Sequence, residues 1–150
     1  MEVTDMIDLN VVKTNMNAAT KDEALQELGK VLLDNNYITN VSEFMEDIYA
    51  REAEGQTGIG NYIAIPHGKS AAVEKIGVAI GINNQEIPWE SLDGKGVKGI
   101  ILFAVGNDNE GARNHLKLLS LFARKLGNDE VVGKLLEAKS AEEVKAAFAN

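Results

Sequence analysis

Apolar residues recur at helical spacing at both ends of the chain. Thr20-Lys21-Asp22-Glu23 has the capping-box pattern, a hydroxyl acceptor followed three residues later by a carboxylate. Behind it Ala24, Leu25, Leu28, Val31 and Leu32 mark one face of a helix over about 21–36. Val41, Phe44, Met45, Ile48 and Tyr49 mark a second helix over about 41–53. In the last third the strongest pattern covers 112–126, with Leu116, Leu119, Phe122, Ala123 and Leu126 on one side. A short helix over 129–138 follows. A second capping box, Ser140-Ala141-Glu142-Glu143, opens a final helix to about 149.

The middle of the chain changes period. Ile76 to Ile82 and Val97 to Val105 are β-branched, apolar runs, as expected of central strands covered on both faces. Tyr62 to Ile65 predicts a short strand ending at Pro66, and Ile7 to Val12 an edge strand. Gly55-Gln56-Thr57-Gly58-Ile59-Gly60 reads as a polar loop. Ile87 to Gly96 reads as an excursion with a turn at Asp93-Gly94. Helices before, after and around a few buried strands indicate one layered α/β domain over residues 1–150. The sheet should be mixed, because strands and helices do not alternate regularly.

Composition narrows the function more than the fold. The chain has 150 residues, 45% hydrophobic and 25% charged, and no cysteine. Disulfides and thiolate metal sites are therefore excluded, which fits a reducing compartment. The first fourteen residues lack the basic start and apolar core of a signal peptide. No apolar stretch approaches the ~18–20 residues that span a bilayer. The expectation is a soluble, cytoplasmic protein without membrane insertion. A net charge of −8 argues against nucleic acid as a partner and is compatible with a basic protein partner.

The chain has two histidines, His67 and His115. His67 lies between Pro66, which defines the exit of the preceding strand, and Gly68, which has no side chain to shield the ring. Pro-His-Gly at a strand end thus offers an imidazole with room for a bulky group to approach; a loop histidine without a role is the alternative. An imidazole that is largely neutral near pH 7 has a nitrogen lone pair for attack on phosphorus. A phosphorylated nitrogen then needs donors nearby, and positioning with charge stabilisation carries most phosphoryl-transfer catalysis. His115, near the start of the strongest helix, stands at the border of an apolar face. It is either a core histidine or an anion-binding one at a helix N-terminus. Arg51 ends the second helix, either as a surface ion pair or as a guanidinium for the phosphoryl group.

Other chemistries lack their residues. Two histidines without cysteine give no recognisable zinc set, so no metal is expected. There is no Gly-x-Ser-x-Gly elbow and no nucleotide-binding Gly-x-x-x-x-Gly-Lys-Ser/Thr loop. No cofactor is expected.

Taken together, Arg51-Glu52, Thr57-Gly58-Ile59-Gly60 and Ala64-Ile65-Pro66-His67-Gly68 resemble a known active-site signature. It is that of the enzyme IIA domains of the bacterial phosphoenolpyruvate-dependent sugar phosphotransferase system, fructose/mannitol type. His115-Leu116-Lys117-Leu118-Leu119-Ser120 resembles that family's second-histidine helix. Ile87-Pro88-Trp89 with Leu92-Asp93-Gly94 resembles its middle segment. The resemblance implies a three-layer α/β/α sandwich with a mixed central sheet. It implies His67 as the phosphorylated residue, His115 beside it as a donor to the phosphoryl group, Arg51 as nearby positive charge, and Thr57 in the loop next to the site. It also implies HPr as donor, a IIB domain as acceptor and, indirectly, a membrane IIC permease. In nitrogen-type relatives the same phosphorylation is a regulatory switch on protein contacts. Glu52 and Lys69 receive no role from it.

Overall fold

The computed structural model describes residues 2–149. Among these, six strands form one mixed sheet: β1 (Val12–Met16), β2 (Gly58–Gly60), β3 (Ile63–Ala64), β4 (His67–Lys69), β5 (Gly77–Ile87) and β6 (Val97–Val105). Five helices flank it: α1 (Lys21–Asp34), α2 (Val41–Glu52), α3 (Asn109–Leu126), α4 (Asp129–Glu137) and α5 (Ala141–Phe148). The strand order is β1-β5-β6-β3-β2, with β4 also on β6. β5 and β6 are antiparallel, whereas β1 runs parallel to β5 and both β3 and β4 run parallel to β6.

The alternation along β6 shows why three layers form. Ile100, Leu102 and Ala104 join one apolar cluster with Leu25, Leu28, Phe44 and Ile48 of α1 and α2. Ile101, Phe103 and Val105 join another with Phe122, Leu126, Val131 and Phe148 of α3 to α5. Side chains alternate across a strand, so a run that is apolar at every position needs helices on both sides.

Both capping boxes form. Thr20 Oγ1 accepts from Glu23 N at 3.1 Å and Ser140 Oγ from Glu143 N at 3.1 Å. The predicted edge strand is displaced, however. Two short 3-10 turns, Val3–Met6 and Leu9–Val11, precede it, and the second takes up half of Ile7 to Val12. They bury Val3, Ile7 and Val11 at a spacing of four, and the edge strand starts only at Val12. In α2, Tyr49 leaves the apolar face and donates through its hydroxyl to Asp22 Oδ1 at 2.8 Å. In α3, Leu116 is 69% exposed, and the buried positions are Gly111, Leu118, Phe122 and Leu126. This rotation places His115 on the inward face. The helix also starts three residues earlier than expected, because the Asp108 carboxylate caps it by accepting from Gly111 N at 2.7 Å.

The segment 55–69 is more regular than the expected loop and single strand. Gly58–Gly60 pairs antiparallel with β3. β3 is only two residues long, because Asn61 and Tyr62 adopt left-handed backbone angles (φ 56° and 66°) just before it. After the interruption at Pro66, which has no N–H to donate, the chain rejoins β6 with His67 opposite Phe103. His67 is thus a strand residue and not a loop residue after a strand. The turn at Asp93-Gly94 is present, with Gly94 at φ 75°.

Candidate functional site

β4 pairs with β6 on one side, and α2 packs against it at the rim of the sheet. Here α2, β4 and α3 meet around a pocket of about 340 Å³. Asp47, Ala50, Arg51, Glu54, His67, Lys69 and His115 line it. The structure therefore brings together His67, His115 and Arg51, three residues 16 to 64 positions apart in the chain.

The His67 ring stands edge-on to the His115 ring, with centroids 4.4 Å apart and planes at 80°. Phe103, its strand partner, backs it at 5.6 Å. His67 is 6% exposed. It lies on the floor of the pocket rather than openly at a strand tip, which corrects the expectation from Pro-His-Gly. Both of its ring nitrogens, and His115 Nε2, are buried without a hydrogen-bond partner. Such atoms cost of order 1–3 kcal/mol each in stability, so their presence in a cluster points to function rather than packing.

Burial pushes the His67 imidazole down to about 3, helped by the positive charge that His115 and then Arg51 place nearby. Burial likewise lowers His115, with Lys69 and Arg51 adding to it. Both rings are therefore neutral at pH 7, each with one nitrogen lone pair that no protein donor occupies. Arg51 and Lys69 are cations beside those bases, so the arrangement suits nucleophilic attack followed by retention of an anion.

Gly68 and Thr57 belong to the surroundings of the pocket rather than its lining. A Cβ on Gly68 would come within 2.2 Å of Phe44 Cε1. The glycine is required by the close approach of α2, not by access to the imidazole. Thr57 is 3% exposed, and its hydroxyl donates to Glu52 Oε2 at 2.6 Å. Sequence reasoning passed over Lys69, Asp47 and Glu54. Lys69 lies two residues from His67, hence on the same side of the strand. Asp47 lies four before Arg51, hence on the same face of α2, and Glu54 lies in the turn that follows the helix.

The sequence profile of the family described as "Phosphoenolpyruvate-dependent sugar phosphotransferase system, EIIA 2" matches residues 5–150. The chain belongs to this family. Its likeness to the Escherichia coli K12 EIIABC component specific for 2-O-alpha-mannosyl-D-glycerate is 27% identity, over 99% of this chain and 22% of that protein. The chain thus spans less than a quarter of that relative. It is 33% identical to the mannitol-specific enzyme IIA component of Bacillus subtilis 168, over 91% of this chain and 92% of the other. Among solved structures, the nitrogen regulatory protein IIA-Ntr of Neisseria meningitidis superposes with a TM-score of 0.86 at 29% identity, covering 97% of this chain and 98% of that one. The IIAMTL in a complex with phosphorylated IIBMTL from Escherichia coli gives 0.79 at 23% identity, covering 95% and 96%. The chain has the α/β fold of that family. No helix among the described residues is long and apolar enough to cross a membrane.

Proposed function

We propose that His67 accepts a phosphoryl group from the phosphohistidine of HPr and passes it to a IIB domain that serves a membrane IIC sugar permease, in the cytoplasm. The observation that carries this reading is the pair of neutral imidazoles in one pocket with Arg51 and Lys69. In the forward step a His67 nitrogen lone pair forms the new N–P bond while the donor's N–P bond breaks. The proton on the other His67 nitrogen stays in place. Arg51, Lys69 and His115 then face the phosphoryl oxygens and stabilise their charge.

The IIB acceptor is supported by the relatives. One is a IIA bound to phosphorylated IIB, and another carries A, B and C components in its name. The neisserial neighbour is a nitrogen regulator by name, but the sugar-specific names of the sequence relatives favour transport over a phosphorylation switch. Onward transfer separates the two. Label on the isolated phosphorylated chain should move to a purified IIB of the same organism within seconds. Retention of label with every such IIB contradicts the transport reading.

A further inference from the structure

We propose that Glu52 is a positioning residue: through Thr57 it fixes the end of α2 beside the segment that leads to His67, and so holds Arg51 in the pocket that His67 shares. This rests on the reading of His67 as phosphoryl acceptor and adds to it a residue outside the pocket.

The connections are continuous. The Glu52 side chain is only 6% exposed, beside Arg51 but directed away from the pocket. Its Oε2 accepts the Thr57 hydroxyl at 2.6 Å. Its Oε1 receives no hydrogen bond of good angle and is balanced by the Lys21 ammonium at 2.6 Å. Thr57 O in turn accepts Ile65 N at 2.9 Å, two residues before His67. Arg51, meanwhile, donates from Nη1 to Gly55 O at 2.9 Å, inside the turn that the Glu52–Thr57 bond closes. One carboxylate therefore ties together the turn that orients the guanidinium and the segment that leads into the strand bearing the imidazole.

Burying a carboxylate with an ammonium carries a desolvation cost, so such a pair is poor evidence of stability for its own sake. Lys21 is also held by Glu90 at 3.2 Å and stands over the Trp89 ring at 5.1 Å, which fixes the pair from a third segment. A placement error of about 1 Å in a catalytic group costs about a hundredfold in rate. The network specifies a distance.

The test compares Thr57→Val, which removes the hydroxyl but keeps the shape, with Thr57→Ser, which keeps the bond. Single-turnover labelling by phospho-HPr is measured in the native protein and in an Arg51→Ala background. Thr57→Val should slow native labelling at least tenfold, with KM for phospho-HPr unchanged, and Thr57→Ser should restore it to within twofold. In the Arg51→Ala background the valine should cost less than twofold. A ratio of the two losses above threefold supports the proposal, and a ratio of three or less overturns it. If Thr57→Val does not fold by circular dichroism, Glu52→Gln enters the same comparison, because an amide offers one oxygen to two donors. A second measurement does not depend on phosphoryl transfer. Separate Nη signals of Arg51 in the NMR spectrum should merge in Thr57→Val, and unchanged signals overturn the proposal. Absence of label on the native protein would instead count against His67 as acceptor.

Discussion

His67 and His115, 48 residues apart in sequence, place their rings edge to face at 4.4 Å with no protein donor or acceptor on the buried nitrogens. A pair of neutral bases at that distance lets one ring take the phosphoryl group while the other supplies an N–H to it. Removing the second ring leaves the first in place. His115→Ala should therefore lose about 1.5–3 kcal/mol of phosphoryl stabilisation, roughly ten- to 150-fold in transfer rate. Rapid-quench labelling by phospho-HPr measures this; a wild-type rate in the variant contradicts the role given to His115.

Phosphorylation should also change the protonation of His115. Arg51 and Lys69 are offset around the pocket by Asp47 and Glu54, so a phosphoryl group brings nearly two negative charges that the existing cations do not balance. A neighbouring anion favours the charged imidazolium. The His115 titration, depressed in the free protein, should move up in the phosphorylated one. Ring ¹⁵N shifts followed against pH in both forms give the answer, and an identical midpoint counts against the pocket as described.

Stability should fall with acidity in a window that belongs to the histidines. The folded His67 value of about 3 lies below the unfolded value of 6.5. Above 6.5 neither state binds the proton and the full stability is present. Below 6.5 the unfolded chain takes up a proton that the folded chain refuses, so stability drops toward pH 3, by up to about 1.4 kcal/mol per pH unit for one site. His115 acts in the same direction. The depressed carboxylates Asp8, Asp93 and Glu90 start from unfolded values of 3.8, 3.8 and 4.5, so they contribute little above pH 5. Urea denaturation at pH 7, 6 and 5 should show the slope, and His67→Gln should flatten it. An equal slope in the variant contradicts the burial of a neutral His67.

The helices were legible because each carries its own punctuation. Thr20 and Ser140 cap where the capping boxes place them, and Ile100 to Val105 announces two apolar faces by having no polar position. The departures share one cause, tertiary context. Three residues, His67 to Lys69, are too few to show a strand period, and they pair only because Phe103 to Val105 lie alongside. Leu116 and Leu118 lie on opposite sides of a helix, and only the sheet decides which of them α3 buries. At the site, the motif pointed to His67, His115 and Arg51, which meet. It could not show that Thr57 faces Glu52, since that bond depends on how the glycine turn closes.

Gly68 tests the packing side of the account. Its missing Cβ is where the Phe44 ring sits. Gly68→Ala should destabilise the protein by about 1–3 kcal/mol through overpacking. Phe44→Leu in the same chain should recover part of that loss. Denaturant titrations of the single and double variants measure it, and a neutral Gly68→Ala contradicts the close approach of α2.

The most direct test is the site of phosphorylation itself. Incubation of the chain with phosphoenolpyruvate, enzyme I and HPr should give one acid-labile, base-stable phosphohistidine, located at His67 by peptide analysis and absent from His67→Ala. A folded His67→Ala that still takes up label, or native protein in which the label sits on His115, contradicts the account.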